Sequence, residues 1–178
     1  MDSHNDRKEN IILIGFMGSG KTSIGAVLSE KLGLPLYDTD RMIEESERMS
    51  ISSIFAEKGE AAFRDMETQL LKKIYDEDAG RAIYSLGGGT PLRDENAELI
   101  KKCGTVFYLR AKAGTIYERL KDDDTRPLLR TEDPRSRIEE LLTAREPKYR
   151  AVADHYIDTD GETFEVIAEK IFGFVKNS

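Results

Sequence analysis

The sequence predicts an α/β fold built on a parallel sheet, and three observations carry that expectation. Short apolar runs rich in β-branched and aromatic residues alternate with amphipathic segments at helical spacing, the pattern of repeated strand–helix–strand units. One strand-to-helix junction, Gly15 to Thr22, is glycine-rich. A length of 178 residues with 39% apolar content suits one compact domain with a real core and leaves no comfortable room for a second.

Taken in order, the strand candidates are Ile11 to Ile14, a short one at Leu36 to Tyr37, Ala82 to Leu86, Val106 to Leu109, and Tyr156 to Ile157. Helical spacing marks Lys21 to Leu32, Arg41 to Glu47, Ile51 to Lys58, Ala61 to Tyr75, Asp94 to Lys102, Ala113 to Lys121, Ser136 to Ala153, and Thr163 to Phe172. Between the sixth and seventh helices, residues 122–134 break the periodicity with Asp122-Asp123-Asp124 and two prolines, and are expected to form a mobile surface loop. Residues 1–9 are polar and are expected to be a disordered tail.

Composition excludes several classes. A formal charge of −7 argues against a nucleic-acid or anionic-membrane partner, so an anionic ligand must be held by local cations. No apolar run approaches the roughly 20 residues of a membrane helix, and the start lacks the apolar segment of a secretory signal, so a cytoplasmic protein is expected. Cys103 stands alone, with only His4 and His155 beside it, which gives neither a disulfide nor the ligand set of a structural zinc site. Cys103 reads as a packing residue at a helix end.

The segment Gly15-Phe16-Met17-Gly18-Ser19-Gly20-Lys21-Thr22 has glycines, lysine and hydroxyl at the spacing of a phosphate-binding loop, with a strand running in and a helix running out. Backbone N–H groups of Gly18, Ser19, Gly20, Lys21, Thr22 and Ser23 are the candidates to surround nucleotide phosphates at the helix N-terminus, whose partial positive charge suits an anion. Lys21 would reach the β- and γ-phosphates of ATP, and Thr22 would ligate Mg²⁺. A glycine-rich connecting turn is the alternative.

Motors and GTPases carry a later strand ending in an acid, or an Asn-Lys-x-Asp segment; here Ala82 to Leu86 runs into Gly87-Gly88-Gly89, Val106 to Leu109 runs into Arg110, and no Asn-Lys-x-Asp segment is present. The replacement is Asp38-Thr39-Asp40, at the carboxyl end of the second strand, where open α/β sheets bind ligands. Two residues apart in extended chain, the carboxylates would face one site. Asp38 could order Mg²⁺ through water, and Asp40 could accept a hydrogen bond from the attacking hydroxyl; an Asx turn capping the next helix is the alternative. On the fourth helix Arg64 and Glu67 lie three apart on one face, so Glu67 can hold a guanidinium whose planar fork suits a carboxylate. Alone, the pair reads equally as a surface salt bridge. Gly87-Gly88-Gly89, directly after a strand, permits close approach of a ligand to backbone, or is simply a polar loop. Nine cations between Arg119 and Arg150 stand out in an acidic chain. A solvated face accounts for most, but Arg126, inside the aperiodic loop and followed by Pro127-Leu128-Leu129, could reach the transferred phosphate as the loop closes and excludes water.

Six segments in register, Gly15 to Thr22, Asp38 to Asp40, Phe63 to Glu67, Gly87 to Gly89, Arg126 to Leu129 and Arg145 to Tyr149, make the chain resemble the shikimate kinases over about residues 10 to 173. The resemblance implies a three-layer P-loop kinase fold: a five-stranded parallel sheet with helices on both faces, a substrate-binding region over about 36–76 and a lid over about 122–134. It implies ATP, Mg²⁺ and shikimate giving shikimate 3-phosphate and ADP, in a monomer. By that resemblance Asp40, Arg64, Arg145 and the Gly87-Gly88-Gly89 segment contact shikimate, with Glu67 supporting Arg64. Arg126 is the lid arginine at the phosphates, and Arg119 stacks on adenine. Lys148 stands where the family more often has an apolar residue, and residues 158–161 match its second adenine-contacting loop weakly. Another polyol-acid kinase, such as a gluconate kinase, and a non-catalytic nucleotide-binding module are the alternatives.

Overall fold

The computed structural model describes residues 7–77, 79–123 and 130–177. Five strands, β1 (Asn10–Ile14), β2 (Leu36–Asp38), β3 (Ile83–Ser85), β4 (Gly104–Arg110) and β5 (His155–Asp158), form one parallel sheet in the order β2-β3-β1-β4-β5. The helices are α1 (Lys21–Leu32), α2 (Thr39–Glu47), α3 (Ile51–Lys58), α4 (Glu60–Asp76), α5 (Asp94–Cys103), α6 (Ala113–Leu120), α7 (Pro134–Val152) and α8 (Phe164–Lys176).

Strand periodicity divides the core into two layers. Along β1, Ile11 and Leu13 enter a cluster with Ile24 and Leu28 of α1 and Ile167 and Ile171 of α8. Ile12 and Ile14 enter the opposite cluster with residues of α4, α5, α6 and α7. In β4, Phe107 and Leu109 join the first cluster, and Val106 and Tyr108 the second. Parallel strands buried on both sides thus read as continuous apolar runs, as they do here. A third, smaller cluster of Ile43, Ile54 and Phe63 ties α2, α3 and α4 together beside the sheet.

Several expected boundaries shift for identifiable reasons. The second helix begins at Thr39 rather than Arg41, because the Asp38 carboxylate accepts from the amides of Asp40 at 3.0 Å and Arg41 at 3.2 Å and caps it. An unpredicted 3₁₀ turn covers Thr90–Leu92. The expected disorder of residues 1–9 does not hold for the last three. The Lys8 amide donates to Lys102 O at 2.8 Å, Arg7 donates to Gly104 O and pairs with Asp154, and Glu9 O accepts from Arg81. Cys103 packs at the end of α5 as expected, and burial pushes its thiol up to about 11. Among the described residues no helix is long and apolar enough to cross a membrane.

At the carboxyl edge of the sheet, β1 runs into the glycine-rich turn, β2 into α2, and β3 into Gly87-Gly88-Gly89. Since β2, β3 and β1 are neighbours, three chemically distinct segments arrive side by side.

Candidate active site

A cleft of about 990 Å³ opens at this edge, and its walls include Gly18, Gly20, Lys21, Thr22, Ser23, Asp38, Asp40, Arg64, Glu67, Gly87, Gly88, Gly89 and Arg145. Most of the residues singled out from the sequence therefore share one space, although they come from five separate parts of the chain.

The phosphate-loop wall is built from the start of α1, whose N-cap, Gly20, supplies no side-chain acceptor, an arrangement that suits an anion at the helix N-terminus. The Lys21 ammonium lies over the turn, donating to Gly15 O at 2.8 Å and Phe16 O at 3.0 Å. Ser19 departs from expectation: it is fully buried, its amide donates to Phe16 O at 3.1 Å, and it is not on the cleft wall. Its amide closes the turn instead of facing outward.

Beside this loop stand the two aspartates. Their juxtaposition does not come from a two-residue strand period, since Asp38 is the N-cap and Asp40 already helical. Asp38 caps α2 with one oxygen, the alternative weighed for it, and its other oxygen accepts from Thr22 Oγ1 at 3.0 Å. Between them Thr39, buried, lies 3.4 Å from Ser85 O and accepts from the Gly87 amide at 3.1 Å, which pins α2 to the end of β3. Burial, with Asp38 and Glu67 adding to it, raises the Asp40 carboxyl to about 6, while Lys21 and Arg64 pull the other way.

The third wall holds the guanidinium groups. Arg64 donates to Glu67 Oε2 at 2.8 Å and to Glu60 Oε1 at 3.3 Å. Burial works to lower the Arg64 pKa, but the bonds to the buried Glu67 and the more exposed Glu60 outweigh it, so the charge is secure. Arg145, on α7, lies over the Phe16 ring at 5.3 Å, and among the described residues no carboxylate pairs with it. Its neighbour Tyr149 is fully buried and donates to Gly88 O at 2.7 Å, anchoring α7 to the glycine segment. Lys148 reaches Asp94 at the start of α5, 2.5 Å away and in solvent.

Two of the three glycines have no room for a side chain. A Cβ on Gly87 would stand 2.5 Å from Asp40 Oδ1, and one on Gly89 would overlap the Arg64 guanidinium. The Gly87 amide is taken by Thr39, whereas no protein acceptor among the described residues engages the amides of Gly88 and Gly89.

Arg119 sits outside the cleft wall, behind the phosphate loop, donating to Gly18 O at 3.1 Å and Thr159 O at 3.4 Å and lying 5.5 Å from the Phe164 ring. The weakly matching segment after β5 is fixed to α6, because Asp160 accepts from the Lys112 amide and the Thr115 hydroxyl. Arg126 lies outside the described residues, as do all of residues 124–129 of the expected lid. Thr39, Tyr149 and Thr90 are site residues to which the sequence alone assigns no role. Each lies beside a recognised residue, but each acts through a partner far along the chain.

The sequence pattern of the family described as SKI: Shikimate kinase matches residues 17–176. A shikimate kinase of Thermodesulfovibrio yellowstonii is 49% identical over 163 residues, 92% of this chain and 92% of that protein. A shikimate kinase of Caldicellulosiruptor bescii is 44% identical over 163 residues, 92% of this chain and 93% of its own. The solved shikimate kinase from Acinetobacter baumannii, in complex with shikimate, superposes with a TM-score of 0.87 at 35% identity and covers 97% of this chain and 95% of its own. A gluconokinase from Sinorhizobium meliloti, at 14% identity and a TM-score of 0.54, shares the fold alone. With a family pattern spanning nearly the whole chain and relatives close to half identical along it, this protein belongs to the shikimate kinase family.

Proposed function

We propose that the chain transfers the γ-phosphate of ATP to the 3-hydroxyl of shikimate, giving shikimate 3-phosphate and ADP, with the residue roles that follow. The observation that carries the roles is that Lys21, Asp40, Arg64 and Arg145 line one cleft. The amides at the start of α1 and the Lys21 ammonium suit the β- and γ-phosphates. Arg64, aimed by Glu67, and Arg145, which no carboxylate occupies among the described residues, suit the organic carboxylate from two sides. Asp40 suits the hydroxyls. In a loose phosphoryl-transfer transition state its part is to orient the attacking oxygen, which requires little basicity early and accepts the proton late. Gly88 and Gly89 line the same cleft. Arg126 at the phosphates and Arg119 at the adenine complete the proposal.

Thr22 Oγ1 and the Asp38 carboxylate, 3.0 Å apart, offer the sparse all-oxygen donor set that suits Mg²⁺, which keeps several waters; Asp38 would hold the ion through one of them. When bound, the ion offsets phosphate charge. The same proposal includes a monomer working in the cytosol, and sedimentation checks the first of these.

A coupled ADP-release assay tests the reaction, run with shikimate, with gluconate and without acceptor. Turnover with shikimate alone is expected, and Lys21→Met is expected to abolish it while the far-ultraviolet circular dichroism is unchanged. ATP hydrolysis indifferent to acceptor, or turnover with gluconate in place of shikimate, overturns the proposal.

A further inference from the structure

Behind the Arg64 guanidinium, Glu67 opens into a buried polar circuit whose other members the proposed chemistry does not use. Glu67, Thr68, Thr90 and Asn96 are 2%, 4%, 1% and 0% exposed. Glu67 divides its carboxylate: Oε2 accepts from Arg64 at 2.8 Å, and Oε1 accepts from the Thr90 hydroxyl at 2.6 Å. The Thr90 carbonyl accepts from Asn96 Nδ2 at 2.9 Å. Asn96 Oδ1 lies 2.7 Å from the Thr68 hydroxyl, which is also 3.1 Å from Arg64 O and receives Arg93 Nη1 at 3.1 Å. Thr68 is one helical turn from Arg64, so the circuit closes through α4.

The directions of these bonds are fixed by what each group can do. An ionised carboxylate only accepts, so the single hydroxyl proton of Thr90 goes to Glu67. The Asn96 amide must turn its NH₂ to the carbonyl and its oxygen to the Thr68 hydroxyl. Four buried groups from α4, α5 and the 3₁₀ turn therefore satisfy one another in one arrangement, and removing any member leaves another unpaired. Thr90 has a second attachment, since its amide donates to Gly87 O at 3.1 Å and it directly follows Gly89, which touches Arg64.

We infer that Thr90 is a positioning residue for the acid-binding side of the site: through Glu67 it aims the Arg64 guanidinium, and through Gly87 it holds the glycine segment at a fixed distance from it. This rests on the proposed reading that Arg64 grips the substrate carboxylate. Thr90 touches no substrate atom in this account. Its hydroxyl keeps both oxygens of Glu67 occupied, so that the carboxylate cannot rotate toward a lone partner and carry the guanidinium with it.

The test is shikimate and ATP binding by calorimetry on the full chain, with Arg64→Lys, Thr90→Val and Thr90→Ser. Arg64→Lys establishes whether the reading below this inference stands; if it leaves shikimate affinity unchanged, that reading fails. Given its loss there, Thr90→Val, similar in shape but without the hydroxyl, is expected to weaken shikimate binding by about tenfold with ATP binding changed by less than about twofold. Thr90→Ser, which keeps the hydroxyl, is expected to restore binding to within about threefold of wild type. In turnover, Thr90→Val is expected to raise KM for shikimate more than it lowers kcat. If Thr90→Val does not fold, Thr90→Ala carries the same comparison. Shikimate binding unaffected by Thr90→Val while Arg64→Lys impairs it, equal losses for both ligands, or no recovery with Thr90→Ser would each overturn the inference.

Discussion

Asp40 is where the site's chemistry and the fold's stability conflict. Its carboxyl is raised from 3.8 to about 6 by burial, Asp38 and Glu67 against the pull of Lys21 and Arg64. A folded-state value above the unfolded one means that the native chain holds this proton longer than the unfolded chain. Stability from this group is therefore present below about pH 4, is lost as pH rises toward about 6, and stays lost above it. The Asp40→Asn variant carries no charge to bury, so urea denaturation near about pH 8 should find it more stable than wild type by about 1–3 kcal/mol. Near about pH 4 the difference should vanish. Its kcat should nonetheless fall by about 10²-fold or more, since an amide cannot accept the hydroxyl proton. A variant less stable than wild type at the higher pH would show that Asp40 is held mainly by its cationic neighbours.

Among the elements, the three-glycine segment is the most exacting. Gly89 has φ −90° and ψ −12°, which any residue adopts, so Gly89→Ala strains no backbone. Its added methyl meets the Arg64 guanidinium, the free end of a flexible side chain, which must swing away from Glu67. Calorimetry should therefore find shikimate binding weakened by about tenfold, with thermal stability lowered as well because the buried Glu67 loses its cation. Equal affinity in the variant would mean that Arg64 need not sit where it does. The sequence shows part of this. The limits of α1 and α3 are legible from spacing, as are Arg64 and Glu67 as an i,i+3 pair. Asp38 and Asp40 are legible as a pair, yet they come together through a helix cap and not through strand alternation, because the Asp38 carboxylate starts α2 two residues early. The turn at Thr90–Leu92 is three residues long, too short for any periodicity to register. The roles of Thr90 and Tyr149 are hidden for a different reason: their partners, Glu67 and Gly88, lie 23 and 61 residues away and meet them only in the fold. Arg7 is anchored by Asp154, 147 residues on, which no local reading reaches.

For the whole molecule, sheet order governs what the cleft can be. Placing β1 between β3 and β4, with β2 beyond β3, brings the phosphate loop, the aspartates and the glycine segment to adjacent positions on one edge. The helix α7 then contributes Arg145 from the layer that packs under Ile12 and Ile14. A net charge of −7 leaves anion binding to this local concentration of Lys21, Arg64 and Arg145. Diffraction from crystals grown with shikimate and ADP tests that arrangement most directly. The shikimate carboxylate is predicted to bridge Arg64 and Arg145, with a ring hydroxyl on Asp40 and the ADP phosphates over the start of α1. Shikimate bound elsewhere, or with its carboxylate on neither guanidinium, would contradict it.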